Sequence, residues 1–304
     1  NLKHKILIVG GTGFLGYHLA KKCLLKGWIV HSISTSKPKK KRFLKKVKYK
    51  ILDITNKKLF KKKLNFNYDY VVNLGGYVNH SEKKKTHESH YIGCKNLVDF
   101  YLKKKIKSFI QIGSCVEYGF IASPQKEISN ININTIKSTY GRAKLLSTNY
   151  LLKKFDKYKF PCTILRLYLV FGPHQDFNRF IPLITKGCLE NSKFPTSDGL
   201  QLRSFLYVDD FSNAVFKCIK NKKANGQVFN ISSDKSIKLK KVINLIKSIV
   251  KGGQPNWGKI KLRKDEILNL YPDIQKIKKI LNWKPKVNFE KGLKRTVNYY
   301  KKTL

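Results

Sequence analysis

The stretch that decides the fold is Ile6-Leu-Ile-Val9, followed directly by Gly10-Gly-Thr-Gly-Phe-Leu-Gly16. The apolar run predicts a buried strand, and the glycines predict a tight turn that opens a helix. Glycines let the backbone approach a pyrophosphate, while the helix N-terminus offers free N–H groups and a positive dipole end. The spacing G-x-G-x-x-G between a strand and a helix therefore predicts a dinucleotide site.

Strand–helix alternation continues outward from this turn through the first half of the chain. It predicts a parallel sheet with helices on both faces, a Rossmann-like doubly wound α/β fold. The predicted strands are residues 5–9, 29–34, 49–52, 70–74, 108–112 and 163–168. The predicted helices are residues 16–26, 57–64, 82–105 and 139–155.

The pattern changes after Pro173, where short segments alternate with turn signals. We expect residues 1–170 to form the dinucleotide-binding domain, with 205–235 returning to it, and residues 171–204 and 236–304 to form a smaller C-terminal substrate-binding lobe. In this half we predict a strand over 205–208 and a linker over 252–255. The predicted helices are residues 211–220, 237–250, 273–281 and 289–302.

The 304 residues carry a formal net charge of +46, from 64 basic and 18 acidic side chains. Such a charge is typical of nucleic-acid-binding proteins. Only seven of the basic residues are arginine, however, and arginine makes most bidentate contacts to bases and phosphates. The lysines are spread along the whole chain, a pattern typical of a genome-wide bias in amino-acid composition and not of a binding surface. We expect no specific nucleic-acid partner.

The sequence also bears on compartment. No run of 18 apolar residues occurs, and the apolar run 6–9 is too short for a signal peptide. The six cysteines are scattered without a C-x-x-C pair, which is typical of small buried side chains in a reducing compartment. We expect a cytoplasmic protein with no membrane insertion and no metal site.

The second predicted strand ends at Ser34, where dinucleotide-binding folds often carry an acid that holds the ribose 2′-hydroxyl. Without that acid a 2′-phosphate is not repelled, and the hydroxyls and lysines of segment 34–42 could hold one. The hypothesis is NADP as cofactor, with NAD as the alternative.

A Tyr-x-x-x-Lys spacing occurs five times, so the spacing alone decides little. Only Tyr140 and Lys144 open a helix downstream of a strand that ends in a serine, Ser114. Residues i and i+4 share one helix face, so both side chains can point at one site. A nearby ammonium is expected to lower the tyrosine pKa, and a serine hydroxyl can polarise a substrate carbonyl.

Together these residues resemble the extended short-chain dehydrogenase/reductases, and more narrowly the NAD(P)-dependent nucleotide-sugar epimerase/dehydratase family, over essentially the whole chain. The resemblance implies a catalytic trio of Ser114, Tyr140 and Lys144. It implies cofactor contacts from Gly10, Gly13, Phe14, Leu15, Gly16, Ser34, Asp53, Ile54, Leu74, Gly75, Gly76 and Lys144.

The same resemblance implies two substrate-binding arginines. Arg203 lies in a D-G-x-x-x-R-x-F stretch and would grip the nucleotide diphosphate, and Arg263 stands where a second such arginine is common. A planar guanidinium binds phosphate oxygens bidentately, which fits this role. A structural role for either arginine is the alternative.

Several positions depart from the family pattern. Cys115 and Val116 stand where the 4,6-dehydratases carry an acidic pair, so dehydration is disfavoured. Glu117 is displaced from that pair by one residue, which on a strand changes the face. His90 and Leu169 stand where asparagines are common. His90 is interpreted as a packing residue, while His80 and Glu82 are left as surface residues.

The expected function is hydride transfer at a sugar carbon of a nucleotide-diphospho-sugar, by a homodimer. The favoured reaction is reduction of a 4-keto sugar, with Tyr140 as proton donor. The alternative is a 4-epimerase with bound NAD. A third possibility is a non-catalytic dinucleotide-binding protein that docks RNA or a partner.

Overall fold

A parallel sheet of seven strands forms the centre of the computed structural model, which describes residues 3–304. The strands are β1 (Lys5–Val9), β2 (Ile29–Ser34), β3 (Lys48–Ile51), β4 (Tyr70–Asn73), β5 (Ser108–Ser114), β6 (Cys162–Leu167), β7 (Leu169–Phe171), β8 (Lys193–Pro195), β9 (Leu202–Tyr207), β10 (Gln227–Ile231), β11 (Ser236–Lys238), β12 (Gln254–Asn256) and β13 (Asn269–Leu270). The helices are α1 (Phe14–Leu25), α2 (Phe60–Lys63), α3 (Lys83–His87), α4 (Gly93–Leu102), α5 (Thr139–Tyr158), α6 (Phe180–Leu189), α7 (Val208–Ile219), α8 (Leu239–Val250), α9 (Gln275–Leu281) and α10 (Phe289–Thr303).

The large sheet has the order β10-β6-β5-β4-β1-β2-β3. Its strands are all parallel, so their carboxyl ends meet at one edge. The strand order reverses between β1 and β4, and the crevice at such a reversal is where ligands bind in open α/β sheets. This architecture confirms the predicted Rossmann-like α/β class.

Alternation along β1 explains why both faces of the sheet are covered. Ile6 and Ile8 face a core that includes α1, α7 and α9, whereas Leu7 and Val9 face a second core built with α2, α4 and α5. Successive strand residues point to opposite faces, so an uninterrupted apolar strand needs helices on both sides.

A second, smaller sheet joins β7, β9, β11 and β13, and β8 pairs with β12 beside it. Helices α6, α8 and α10 pack against this sheet around Phe171, Phe205 and Tyr207. Of the segment 205–235, β9 lies in this smaller sheet, while α7 packs on the large sheet and β10 forms its outermost strand.

The structure differs from the sequence prediction in several places, and α6 and β10 are elements that the sequence analysis did not predict. The helix predicted over 82–105 is divided, because five residues, Glu88–Ile92, form a wider π turn between α3 and α4. The linker predicted over 252–255 contributes to β12. Strands of two or three residues carry too little periodicity to be recognised, which explains why β7, β8 and β11–β13 were missed.

Among residues 3–304, no helix is long and apolar enough to cross a membrane.

Candidate active site

The glycine turn lies between the ends of β1 and β4. Gly10 has a φ of +75°, and a Cβ there would lie 2.9 Å from the carbonyl carbon of Leu74. A Cβ on Gly16 would lie 2.5 Å from the Cα of Gly11. Only glycine therefore fits where the turn contacts the end of β4 and where α1 leaves it.

The start of α1 is open to an anion. Helix α1 begins at Phe14, and its N-cap residue is Gly13, which has no side chain to cap the N–H groups of the first turn. The first-turn N–H groups of a helix lack intrahelical partners and, with the helix dipole, favour a bound phosphate. The predicted residues Phe14, Leu15 and Gly16 thus form a cradle that fits the pyrophosphate of a dinucleotide.

Ser34 ends β2 beside this turn. Its Oγ donates to the Ile33 carbonyl at 2.8 Å and accepts the Thr12 N–H at 3.4 Å. The cations that follow are engaged elsewhere, because Lys39, Lys41 and Arg42 pair with Asp176 at 3.1, 3.7 and 2.8 Å. One carboxylate therefore holds three of the five cations of segment 34–42 and offsets one of their five charges.

Asp53 and Ile54 follow β3 at the same edge of the sheet. The exposed Asp53 carboxylate accepts the Thr55 N–H at 2.9 Å and the Thr55 hydroxyl at 2.8 Å. Ile54 is buried, and its Cδ1 would be 3.4 Å from a Cβ on Gly75. Residues at the ends of β3 and β4 thus lie together beside the glycine turn.

The structure brings Ser114, Tyr140 and Lys144 together at the carboxyl edge. Ser114 is the last residue of β5, and Tyr140 and Lys144 lie on the first turns of α5. Ser138 caps that helix, with its Oγ accepting the Gly141 N–H at 3.0 Å. Lys144 is buried, its Nζ donating to the Ile112 carbonyl at 2.7 Å and lying 5.7 Å from the centre of the Tyr140 ring.

The ionisation of this trio differs from the sequence expectation. Burial raises the pKa of Tyr140 to about 12, and the neighbouring Ser114 hydroxyl opposes this only in part. Burial also lowers the pKa of Lys144 to about 8, against the opposing charge of Glu117. The tyrosine pKa is therefore raised in this structure and not lowered as the sequence analysis expected, because desolvation is the largest effect on it. Tyr140 is protonated at neutral pH.

Two histidines enclose the Tyr140 ring. His80 stacks on it with ring centroids 3.9 Å apart and planes 11° apart, and His90 meets it edge-on at 4.8 Å. His90 Nε2 donates to the Tyr77 carbonyl at 3.0 Å. Burial lowers the pKa of His90 to about 2, so its ring is neutral.

His80 is exposed, as the sequence interpretation expected, but that interpretation missed its stacking on Tyr140. The position of His80, in the loop after a strand that ends at the cofactor edge, signals that it lies near the site, but not which side chain it contacts. Glu82, in the same loop, accepts a hydrogen bond from the Tyr77 hydroxyl and pairs with Lys85 at 2.7 Å.

The two predicted substrate-binding arginines meet at one carboxylate. Arg203 Nη2 lies 2.7 Å from Oε1 of Glu266, and Arg263 Nη2 lies 3.3 Å from Oε2. Arg203 is largely buried and also donates to the carbonyl oxygens of Leu202 and Leu268, whereas the Arg263 side chain is 82% exposed. Glu266, which the sequence reasoning did not consider, thus brings two guanidinium groups close to each other.

Leu169, which stands where an asparagine is common in the family that the sequence resembles, has an exposed side chain.

Comparison with known proteins places these features in context. A family model described as the NAD dependent epimerase/dehydratase family matches residues 6–232. The UDP-N-acetyl-alpha-D-glucosaminuronate decarboxylase of Bacillus cytotoxicus is 26% identical, over 99% of this chain and 98% of its own length.

Two solved structures share the architecture. The UDP-glucose 4-epimerase of Thermotoga maritima, solved with UDP-glucose, has a TM-score of 0.85 at 26% identity, covering 98% of this chain and 99% of its own. The UDP-glucuronic acid 4-epimerase of Bacillus cereus, in complex with UDP-glucuronic acid and NAD, has a TM-score of 0.86 at 24% identity, covering 99% and 100%. The second likeness shows the fold alone.

Proposed function

Since the chain belongs to the NAD-dependent epimerase/dehydratase family and is an enzyme of it, we propose that it transfers hydride at a sugar carbon of a nucleotide-diphospho-sugar. The observation that carries the proposal is the meeting of Ser114, Tyr140 and Lys144 at the carboxyl edge, beside the glycine turn. Family membership disfavours the non-catalytic alternative. The leading reaction is reduction of a 4-keto sugar.

A nicotinamide dinucleotide is the cofactor that the relatives support. Its pyrophosphate would lie at Gly10, Gly13 and the first turn of α1, where the uncapped helix start fits it. Asp53 and Ile54 would flank the adenine, and Gly75 and Gly76 would lie under the nicotinamide side. When bound, the cofactor supplies the hydride that this reaction needs.

The chain's own residues supply the proton chemistry. The high pKa of Tyr140 keeps its hydroxyl protonated at neutral pH, so it can donate a proton to the oxygen that forms as the carbonyl is reduced. The Ser114 hydroxyl would stabilise the negative charge on that oxygen. Lys144, whose ammonium donates a hydrogen bond to the Ile112 carbonyl, would bind cofactor hydroxyls and stabilise the Tyr140 side chain by its positive charge.

One observation disfavours dehydration but is equally compatible with reduction and epimerisation, and a second favours reduction over epimerisation. Cys115 and Val116 cannot act as the acid and base of a dehydratase, and Glu117, the nearest carboxylate in sequence, is buried against Arg166. The absence of an acid at Ser34 favours NADPH, which exchanges as a cosubstrate.

The second candidate is a 4-epimerase with bound NAD. It is favoured by the whole-length likeness to the Thermotoga maritima UDP-glucose 4-epimerase. The pairing of Lys39, Lys41 and Arg42 with Asp176 also supports it, because it weakens the positive field that a 2′-phosphate would meet.

For the reductase, which uses NADP, the groups proposed to hold the 2′-phosphate are the hydroxyls of Ser34 and Ser36 and the Lys37 ammonium.

The substrate proposal rests on the two arginines at Glu266. Arg203 and Arg263 would bind the diphosphate, with the largely buried Arg203 as the principal contact. The nucleotide would then lie in the lobe formed by residues 171–204 and 236–304, with residues 1–170 and part of 205–235 holding the cofactor. We also propose a homodimer formed through helices α4 and α5, which light scattering tests directly.

The decisive experiment mixes the purified protein with NADPH and a panel of nucleotide 4-keto-6-deoxy sugars and follows NADPH absorbance. Stoichiometric loss of NADPH absorbance with one of these keto sugars supports the reductase and identifies its substrate. Without any loss, the reductase proposal fails, and product analysis on ordinary nucleotide sugars without added reductant then tests the epimerase.

A further inference from the structure

Glu117 is a fully buried residue whose carboxylate is hydrogen-bonded to the backbone of the proposed catalytic serine. It lies three residues after Ser114, in the short 3-10 turn Cys115–Tyr118 that follows β5. Its Oε1 accepts the Ser114 N–H at 2.9 Å, while the Ser114 Oγ accepts the Val116 N–H at 3.4 Å. The two residues therefore form a capping box, in which the Ser114 side chain and the Glu117 carboxylate both accept backbone N–H groups of the turn.

The other oxygen of Glu117 reaches two further elements. Oε2 accepts the Thr148 hydroxyl at 2.8 Å and the Arg166 Nε–H at 2.8 Å. Thr148 lies on α5, one turn beyond Lys144 on the helix that also carries Tyr140, and Arg166 lies on β6. One carboxylate thus joins the strand that ends in Ser114 to the helix that carries the other two members of the trio.

The surroundings leave Glu117 little freedom to move. Arg166 is 2% exposed, and its guanidinium lies over the Tyr118 ring at 4.5 Å. A Cβ on Gly113 would lie 2.5 Å from Glu117 Oε1, so the strand passes too close for any side chain at that position. A buried carboxylate with a neutral donor on one oxygen and a neutral and a charged donor on the other is a rigid link.

We propose that Glu117 is a positioning residue, which fixes Ser114 relative to Tyr140 and Lys144 by joining β5, α5 and β6. Both of its oxygens are engaged with protein donors, so it does not act as an acid or base on substrate. Its negative charge also supports the Lys144 ammonium against the cost of burial. The inference rests on the proposed roles of the trio, and it adds a residue outside that trio on which the geometry depends.

Glu117→Gln is a poor first test, because it leaves the buried Arg166 cation without its counter-charge and risks unfolding the chain. Thr148→Val is sharper, since it removes one hydrogen bond to Oε2 and leaves the ion pair in place. Thr296→Val is the matched control: Thr296 is equally buried, and its hydroxyl donates to the Gly292 carbonyl at 2.8 Å within α10. Thr148→Ser keeps the hydroxyl and tests rescue.

In Thr148→Val we expect kcat to fall about tenfold with KM unchanged, because a misplaced hydroxyl costs rate more than binding. Hydrogen–deuterium exchange of the amides at residues 114–118 should rise about tenfold, without a comparable rise in the core strands. Thr148→Ser should restore both values, and Thr296→Val should change neither. Equal effects of the two valine variants, or unchanged exchange at 114–118, would overturn the proposal.

The exchange measurement needs no substrate. If the wild-type protein turns over none of the nucleotide sugars, the proposed function fails, and faster exchange at 114–118 in Thr148→Val still supports the link through Glu117. If turnover occurs but exchange is unaffected, the proposed function stands and the positioning role is rejected.

Discussion

His80 lies flat on the ring of Tyr140, with ring centroids 3.9 Å apart and planes 11° apart. One face of the proposed proton donor is therefore covered by an aromatic ring from the loop after β4. Stacked aromatic pairs contribute free energy beyond the area they bury, and they fix the relative orientation of the rings. The stack joins the tyrosine on α5 to the part of the sheet edge where the cofactor is proposed to lie.

Replacing His80 tests whether this stack orients Tyr140. His80→Ala should lower kcat/KM about five- to tenfold, because a stacked pair contributes about 1 kcal/mol to holding the ring. His80→Phe should retain most activity, since it keeps a stacking ring. Steady-state kinetics decide, with His87→Ala on the nearby α3 as the control. Loss of activity in both His80 variants would instead assign a chemical role to the imidazole.

Tyr140→Phe should abolish turnover while leaving cofactor binding intact. The change removes only the hydroxyl that is proposed to donate the proton. Fluorescence titration with NADH and NADPH should give dissociation constants within about twofold of wild type, because the phenyl ring still packs against His80. Tyr150→Phe, on the same helix, is the matched control. Full activity in Tyr140→Phe would contradict the catalytic assignment.

The charge of Asp176 should control the choice between NADP and NAD. Asp176→Asn frees Lys39, Lys41 and Arg42 from their shared partner. At low salt we expect the NADPH dissociation constant to fall about threefold or more, with a smaller change for NADH, because only NADPH carries a 2′-phosphate. Asp156→Asn removes the same charge at an exposed position and should change neither. An equal gain for both cofactors would mean that these cations do not face the 2′-phosphate.

The role of the guanidinium fork is tested at the two arginines. Arg203→Lys keeps the charge but loses bidentate geometry, so the dissociation constants of UDP and dTDP should rise about tenfold. Arg263→Lys should have a smaller effect, because that side chain is largely exposed. Arg295→Lys, at an exposed pair with Asp209, is the control. Unchanged affinity in Arg203→Lys, measured by isothermal titration calorimetry, would restrict Arg203 to a structural role.

The free energy of unfolding should fall between pH 7 and pH 5. Burial lowers the pKa of His90 to about 2, below the value of about 6.5 expected in the unfolded chain. The unfolded state then binds the proton that the folded state refuses, so stability present above pH 6.5 is lost as the pH falls. His90 alone should contribute about 2 kcal/mol over this range.

Urea unfolding at the two pH values measures this loss. In His90→Gln the difference between pH 7 and pH 5 should shrink by about that amount, since the titrating group is gone. His87→Gln serves as the reference substitution. A pH dependence that is unchanged in His90→Gln would show that the ring is solvated or paired in solution.

How much the sequence predicted depends on the length of the signal. The glycine turn has a specific spacing, and most of the long strands and α5 have strong hydrophobic periodicity. The family resemblance and the α/β class are confirmed. The roles of the site residues stay predictions. The sequence could not reveal that His80 stacks on Tyr140, or that Glu266 lies between Arg203 and Arg263, because these contacts join segments distant in the chain. Nor could it reveal that burial raises the pKa of Tyr140, since desolvation depends on the whole surrounding fold.

The position of β10 has a consequence for synthesis on the ribosome. It pairs with β6, yet about sixty residues that include β7, α6, β8, β9 and α7 lie between the two strands in the chain. Until residue 231 has left the exit tunnel, β6 presents an unpaired edge that can template pairing with other nascent chains. During that interval the growing chain is most exposed to aggregation, so chaperone dependence should be concentrated in the synthesis of residues 168–231.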